Sequence, residues 1–130
     1  MDGIKQFLIF LTMENLSNIQ DSTSMLSDLD WNVNDIFDRR VIKATSWCDL
    51  DDYHSLEVRT GVFVFVNLFF QVKYIGIADD GLLIAEIREA IKAGKSNGAL
   101  LVKVLYTRAY EKSEALAQEM LKKYNPVNNQ

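Results

Sequence analysis

Five consecutive residues, Val62-Phe63-Val64-Phe65-Val66, are all β-branched or aromatic. A run with no polar face folds as a strand only where both of its faces are covered. Val72 to Ala78 is a second such run, and the five residues Asn67 to Gln71 between them suit a β-hairpin. Asp79-Asp80-Gly81 follows, and an acidic pair suits a helix N-terminus electrostatically. Leu83, Ile84, Ile87 and Ile91 then fall on one helical stripe, closed by Gly94. Leu101 to Thr107 reads as a third strand. A last helix from about Tyr110 to Lys123 places Leu116, Met120, Leu121 and Tyr124 on one side and stops before Pro126. The pattern predicts an α+β fold: a small three-stranded antiparallel sheet flanked by helices.

Ahead of this lies a different kind of sequence. Residues 4–20 carry Ile4, Phe7, Leu8, Leu11, Leu16 and Ile19 near helical spacing. Residues 21–27 are rich in Ser, Thr and Asp and read as a loop. A second short helix is expected between Asp30 and Trp47, with Trp31, Val33, Ile36, Phe37 and Val41 as its apolar side. Residues 1–58 carry 11 acidic against 4 basic residues, net −7, whereas residues 59–130 carry 7 against 10, net +3, which together give the chain's −4. The expected organisation is therefore an acidic, partly helical extension (1–58) on a mildly basic domain (59–130). Such a body tolerates a polyanion, but it lacks the strong basic footprint of a duplex-binding protein.

Composition narrows the classes further. The longest uninterrupted apolar run near the start, Phe7 to Leu11, falls short of the roughly 18 residues a membrane span needs and lacks the flanks of a signal peptide. Cys48 is the only cysteine, so no internal disulfide or thiolate cluster forms, and a cytoplasmic protein is expected. The single histidine, His54, has no partner imidazole for zinc and reads as a solvated loop residue. Gly94-Lys95-Ser96 follows a helix rather than a strand and reads as a turn, not a phosphate loop.

Three local sequences taken together carry a resemblance: Gly61-Val62-Phe63 and Tyr74-Ile75-Gly76 on paired strands, and Tyr124-Asn125-Pro126 with Asn129 after the last helix. In this combination the stretch from Thr60 onward resembles a GIY-YIG nuclease domain. The resemblance implies a phosphodiesterase site in which two motif tyrosines flank the scissile phosphate. A helix arginine would oppose its charge, a glutamate on the last helix would hold one divalent metal, and an asparagine would shape the pocket. Here the first tyrosine corresponds to Phe63, the second to Tyr74, the arginine to Ile84, the glutamate to Ala117 and the asparagine to Asn129. Arg88, one turn beyond Ile84, is a displaced substitute or a surface residue; Glu114, one turn before Ala117, is the only stand-in for the metal ligand. Glutamate to alanine is also the change made to silence a nuclease, but Phe63 and Ile84 point to natural loss.

The resemblance therefore implies a degenerate scaffold: a non-catalytic binding or regulatory module, without cofactor. Its partner would be a protein or, with weaker support from charge, a nucleic acid. Size and charge suit an inhibitor, such as a phage or mobile-element product acting on a host nuclease or defence system. One alternative is a surviving Mg²⁺-dependent endonuclease using Tyr74, Arg88, Glu114 and Asn129. Another is a self-associating protein. Leu68-Phe69-Phe70 at the hairpin tip, apolar where exposure is expected, is either covered by residues 4–19 or used to contact a partner or a second copy.

Overall fold

The structure, a computed structural model, describes residues 28–130. It is a mixed α+β fold built on an open, antiparallel five-stranded sheet. The strands are β1 (Val41–Ala44), β2 (Cys48–Asp49), β3 (Gly61–Val66), β4 (Val72–Ala78) and β5 (Leu101–Thr107). Two α-helices, α1 (Leu83–Lys92) and α2 (Tyr110–Tyr124), and three 3-10 turns (Val33–Phe37, Leu50–Ser55, Val127–Asn129) complete the described elements. None of their helices is long and apolar enough to cross a membrane.

The all-apolar run becomes the central strand. β3 lies between β4 and β5 and is buried at every position. Its alternation divides the core in two. Phe63 and Phe65 join Val102, Val104, Tyr106 and the α1 residues Leu83, Ile87 and Ala90 on one face. Val62, Val64 and Val66 join Leu105 and the α2 residues Leu116, Ala117 and Met120 on the other. β4 and β5 are both antiparallel to β3 and so run parallel to each other, with α1 as the crossover between them. A bulge sharpens the division: Phe65 pairs with Tyr74 and Val66 with Val72, leaving Lys73 as the extra residue. Val72 and Tyr74, two apart in sequence, consequently belong to opposite faces.

The expected three-stranded sheet has five strands because residues ahead of Thr60 pair along β5. β1 pairs with its C-terminal half (Val41 opposite Thr107) and β2 with its N-terminal half (Cys48 opposite Val102). Thr45 bridges the gap: its N–H donates to the Val104 carbonyl at 3.0 Å, and its Oγ1 accepts from the Val104 N–H at 2.9 Å. The second helix expected between Asp30 and Trp47 is instead a 3-10 turn followed by β1. Asp38 stops that turn: its carboxylate takes two bonds from the Arg40 guanidinium, which hold its pKa down at about 2, and Arg40 also pairs with Glu119 on α2. The helix expected over residues 4–20 lies outside the described residues.

The other edge of the sheet is closed by the two ends of the described chain. Asn129 clamps β4, its Oδ1 accepting from the Ile75 N–H at 2.9 Å and its Nδ2 donating to the Ile75 carbonyl at 2.8 Å. Asn125, at φ 44°, ends α2 in the left-handed conformation, and Pro126 then directs the tail back to β4. From the opposite end of the sequence, Asp28 accepts from the Val127 N–H at 3.0 Å and pairs with Lys73 at 2.9 Å. The Asp28 side chain is almost wholly buried, while the Lys73 tip still reaches solvent. Replacing Asp28 by alanine is expected to cost about 2 kcal/mol, below the 3–5 of a fully buried pair because Lys73 can rehydrate. Urea unfolding of Asp28→Ala against the parent measures it, and an unchanged midpoint would remove Asp28 from this role.

Candidate binding site

The two motif glycines are explained by close packing. A Cβ on Gly76 would stand 2.3 Å from the Phe63 ring tip, since Phe63 lies directly across the ladder and folds its ring over the glycine. A Cβ on Gly61 would meet the Leu105 carbonyl oxygen at 2.7 Å. Both glycines therefore serve strand approach. Phe63 has little exposure and packs against Phe65 and Tyr74, at ring separations of 5.4 and 6.1 Å.

Tyr74 is half-buried on the α1 face beside a shallow hollow of about 360 Å³, which Phe63, Gly76, Glu86, Glu89 and Lys95 also line. Burial, and then the Glu86 carboxylate, push its phenol up. A raised phenol keeps its proton at neutral pH, the opposite of what a general base requires. Glu86 and Glu89 are the charged residues that motif counting missed. They sit three apart on α1, and that spacing puts them on one side of the helix.

Of the other positions named by the resemblance, only Ile84 shares a core cluster with Phe63 and Tyr74. Ile84 packs against the same α1-face cluster. Arg88 is exposed and lines a different groove. Ala117 is buried, 4% exposed, in the α2-face cluster with Val62 and Val64, so the packed sheet lies between it and Phe63. Glu114 is exposed, and its field falls on Tyr110 together with those of Asp79 and Glu86. Asn129 is occupied by the Ile75 backbone. These residues do not fit a divalent cation. The ligand position is a methyl group in an apolar layer, and no three His, Cys, Asp or Glu side chains among the described residues come together to hold a metal.

The larger opening is a groove of about 710 Å³ between the 50–55 turn and α1, reaching the hairpin tip and the 96–100 loop. Its floor is apolar, with Leu50, Tyr53, Ile91 and Ala99, and Leu68 and Leu100 stand 58% and 53% exposed at its margin. Asp49 and Asp51 line it from the turn, and Arg88 and Lys92 from α1. His54 is exposed there and lies against Tyr53, ring centroids 4.0 Å apart. The nearby Cys48 thiol is pushed up by burial and by Asp52 and Asp49, which makes it a poor nucleophile.

The hairpin tip differs from the three exposed apolar side chains expected of it. Leu68 alone is exposed. Phe70, at φ 61°, turns into the α2-face core, where Trp47 meets it edge-on at 5.7 Å and its carbonyl accepts from the Trp31 N–H at 2.7 Å. Asn67 supports that turn, its side-chain oxygen accepting from the N–H groups of Phe69 and Gln71. Trp31 in turn stacks on Tyr124 at 6.1 Å, so the cover comes from residues 31 and 47. Residues 4–19, the other expected cover, lie outside the described residues. No family model matches this chain, and no curated protein or solved structure matches it either.

Proposed function

We propose that this chain is a non-catalytic, GIY-YIG-like module that acts by binding another protein through the groove between the 50–55 turn and α1. One observation carries it: the positions that nuclease chemistry would need are divided between two faces of a packed sheet. Tyr74 and Phe63 stand on one face and Ala117 on the other. Retention of the Gly and Tyr-Ile-Gly signatures needs no catalysis, because strand packing accounts for both glycines. A protein partner is favoured over nucleic acid because the groove has an apolar floor and opposed charges rather than a basic lining.

The test is a cleavage assay on single-stranded, duplex and branched DNA with Mg²⁺ or Mn²⁺. No cleavage above the metal-only control is expected, and Tyr74→Phe should change nothing. Metal-dependent cleavage that Tyr74→Phe or Arg88→Ala abolishes would overturn the proposal in favour of an endonuclease.

A further inference from the structure

The outer edge of β4 is closed by groups that imitate a neighbouring strand. At its start, residues 29–31 pair antiparallel with the end of the hairpin turn. Asp30 bridges to Gln71, the Trp31 N–H donates to the Phe70 carbonyl and the Val72 N–H to the Leu29 carbonyl. Further along, the Asn129 side-chain amide takes both edge-facing groups of Ile75, at 2.9 and 2.8 Å. That is the pair of bonds a residue of an added strand would make. Ile75 and Ile77 lie two apart in regular register with β3, so the N–H and C=O of Ile77 face outward as well. Among the described residues nothing bonds to these two groups.

An edge with unpaired backbone groups is a template for another strand. Here the Val127–Asn129 turn limits it. The turn is held by hydrogen bonds to three separate places: the Val127 N–H to Asp28, Asn128 Nδ2 to the carbonyls of Lys95 and Asn97, and Asn129 to Ile75. None of its residues is buried or belongs to either core cluster. Its release therefore breaks hydrogen bonds and leaves the packing within both clusters in place.

We propose that residues 127–129 are a removable guard on β4, and that with the guard lifted β4 pairs antiparallel with β4 of a second copy of this chain. A two-fold axis at Gly76 sets Ile75 of each copy opposite Ile77 of the other, so the outward groups of both residues form hydrogen-bonded pairs. Between them Gly76 faces Gly76 at the close, non-hydrogen-bonded spacing, where neither copy has a side chain to obstruct. Ile75 and Ile77 both belong on the α2 side, so each pair also sets two β-branched side chains across from one another. Pairing at this edge is independent of the groove and of nuclease chemistry.

Sedimentation and amide hydrogen exchange of the full chain and its variants test it. Asn129→Ala should tighten self-association at least about ten-fold over the parent, since the bonds to Ile75 must otherwise be broken in both partners. The N–H groups of Ile75 and Ile77 should then become more protected as protein concentration rises. Adding Ile77→Pro, which removes an outward N–H and leaves the bonds to β3, should cancel the gain. No gain over the parent, a gain that survives Ile77→Pro, or a gain without protection at Ile75 and Ile77 would overturn the proposal. Should Asn129→Ala fail to fold, the parent decides. Its Ile75 N–H should exchange through local release of the turn, at a rate that low urea leaves unchanged, while the Gly76 N–H, which faces β3, exchanges only with unfolding. Equal, urea-sensitive exchange at both positions would overturn the guard.

Discussion

Gly76→Ala is expected to lower stability by about 3 kcal/mol, at the upper end of the usual cost of overpacking. Glycine in a strand normally carries an entropic penalty, so alanine would stabilise an open strand position by about 0.5–1 kcal/mol. Here the sign reverses because the new Cβ would stand 2.3 Å from the Phe63 ring tip. Phe65 and Tyr74 pack beside Phe63, so a shift of its ring disturbs their packing as well. Shortening the ring should relieve the clash: in a Phe63→Leu background, Gly76→Ala should cost about 1 kcal/mol or less, a coupling of about 2 kcal/mol. Urea denaturation of the four proteins in this cycle measures it. Additive effects would mean that Gly76 is kept for some reason other than the Phe63 ring.

That pairing shows how much of the fold could be read from the residues alone. The Val62–Val66 run, the second strand from Val72 to Ala78, the α1 stripe and the third strand at 101–107 are all found where their patterns place them, because each is dictated by local periodicity and burial on two faces. β1 and β2 were not legible. They are four and two residues long, and their pairing depends on β5, about sixty positions away in sequence. Trp31, Ile36 and Val41 fall near helical spacing, yet they join the α2-face core from the stretch ahead of a 3-10 turn, from that turn and from a strand.

The site was harder to read for a different reason. Counting back along α2 puts the metal-ligand position that the resemblance implies on Ala117, but counting does not say that this position is buried or which face of the sheet the helix covers. That is decided by the crossover: α1 takes one face between β4 and β5, and α2 takes the other. Asn129 has a similar lesson. Its place after Pro126 is visible in sequence, whereas its clamp on Ile75 depends on the tail meeting the exposed edge of β4. The groove left no motif at all, because its walls come from residues 49–51, 88–92 and 96–100 and meet only in the folded chain.

The central claim, that position 117 belongs to a packed apolar layer rather than to a metal site, is tested most directly by Ala117→Glu. A carboxylate placed among Val62, Val64, Leu116 and Met120 has no described cation in its cluster. The variant is expected to lose about 3–5 kcal/mol, the scale of an unpaired buried charge, or to hold the side chain protonated at a smaller cost. A restored metal ligand behaves differently, because a cation that binds only the folded state raises stability with its concentration. The measurement is thermal unfolding of Ala117→Glu across a Mn²⁺ titration. The expected result is a midpoint well below the parent's, by about 10 °C or more, that Mn²⁺ leaves unmoved. Progressive recovery of the midpoint with Mn²⁺, absent in the parent, would contradict the account and place a nuclease-like metal site in the middle of α2's buried face.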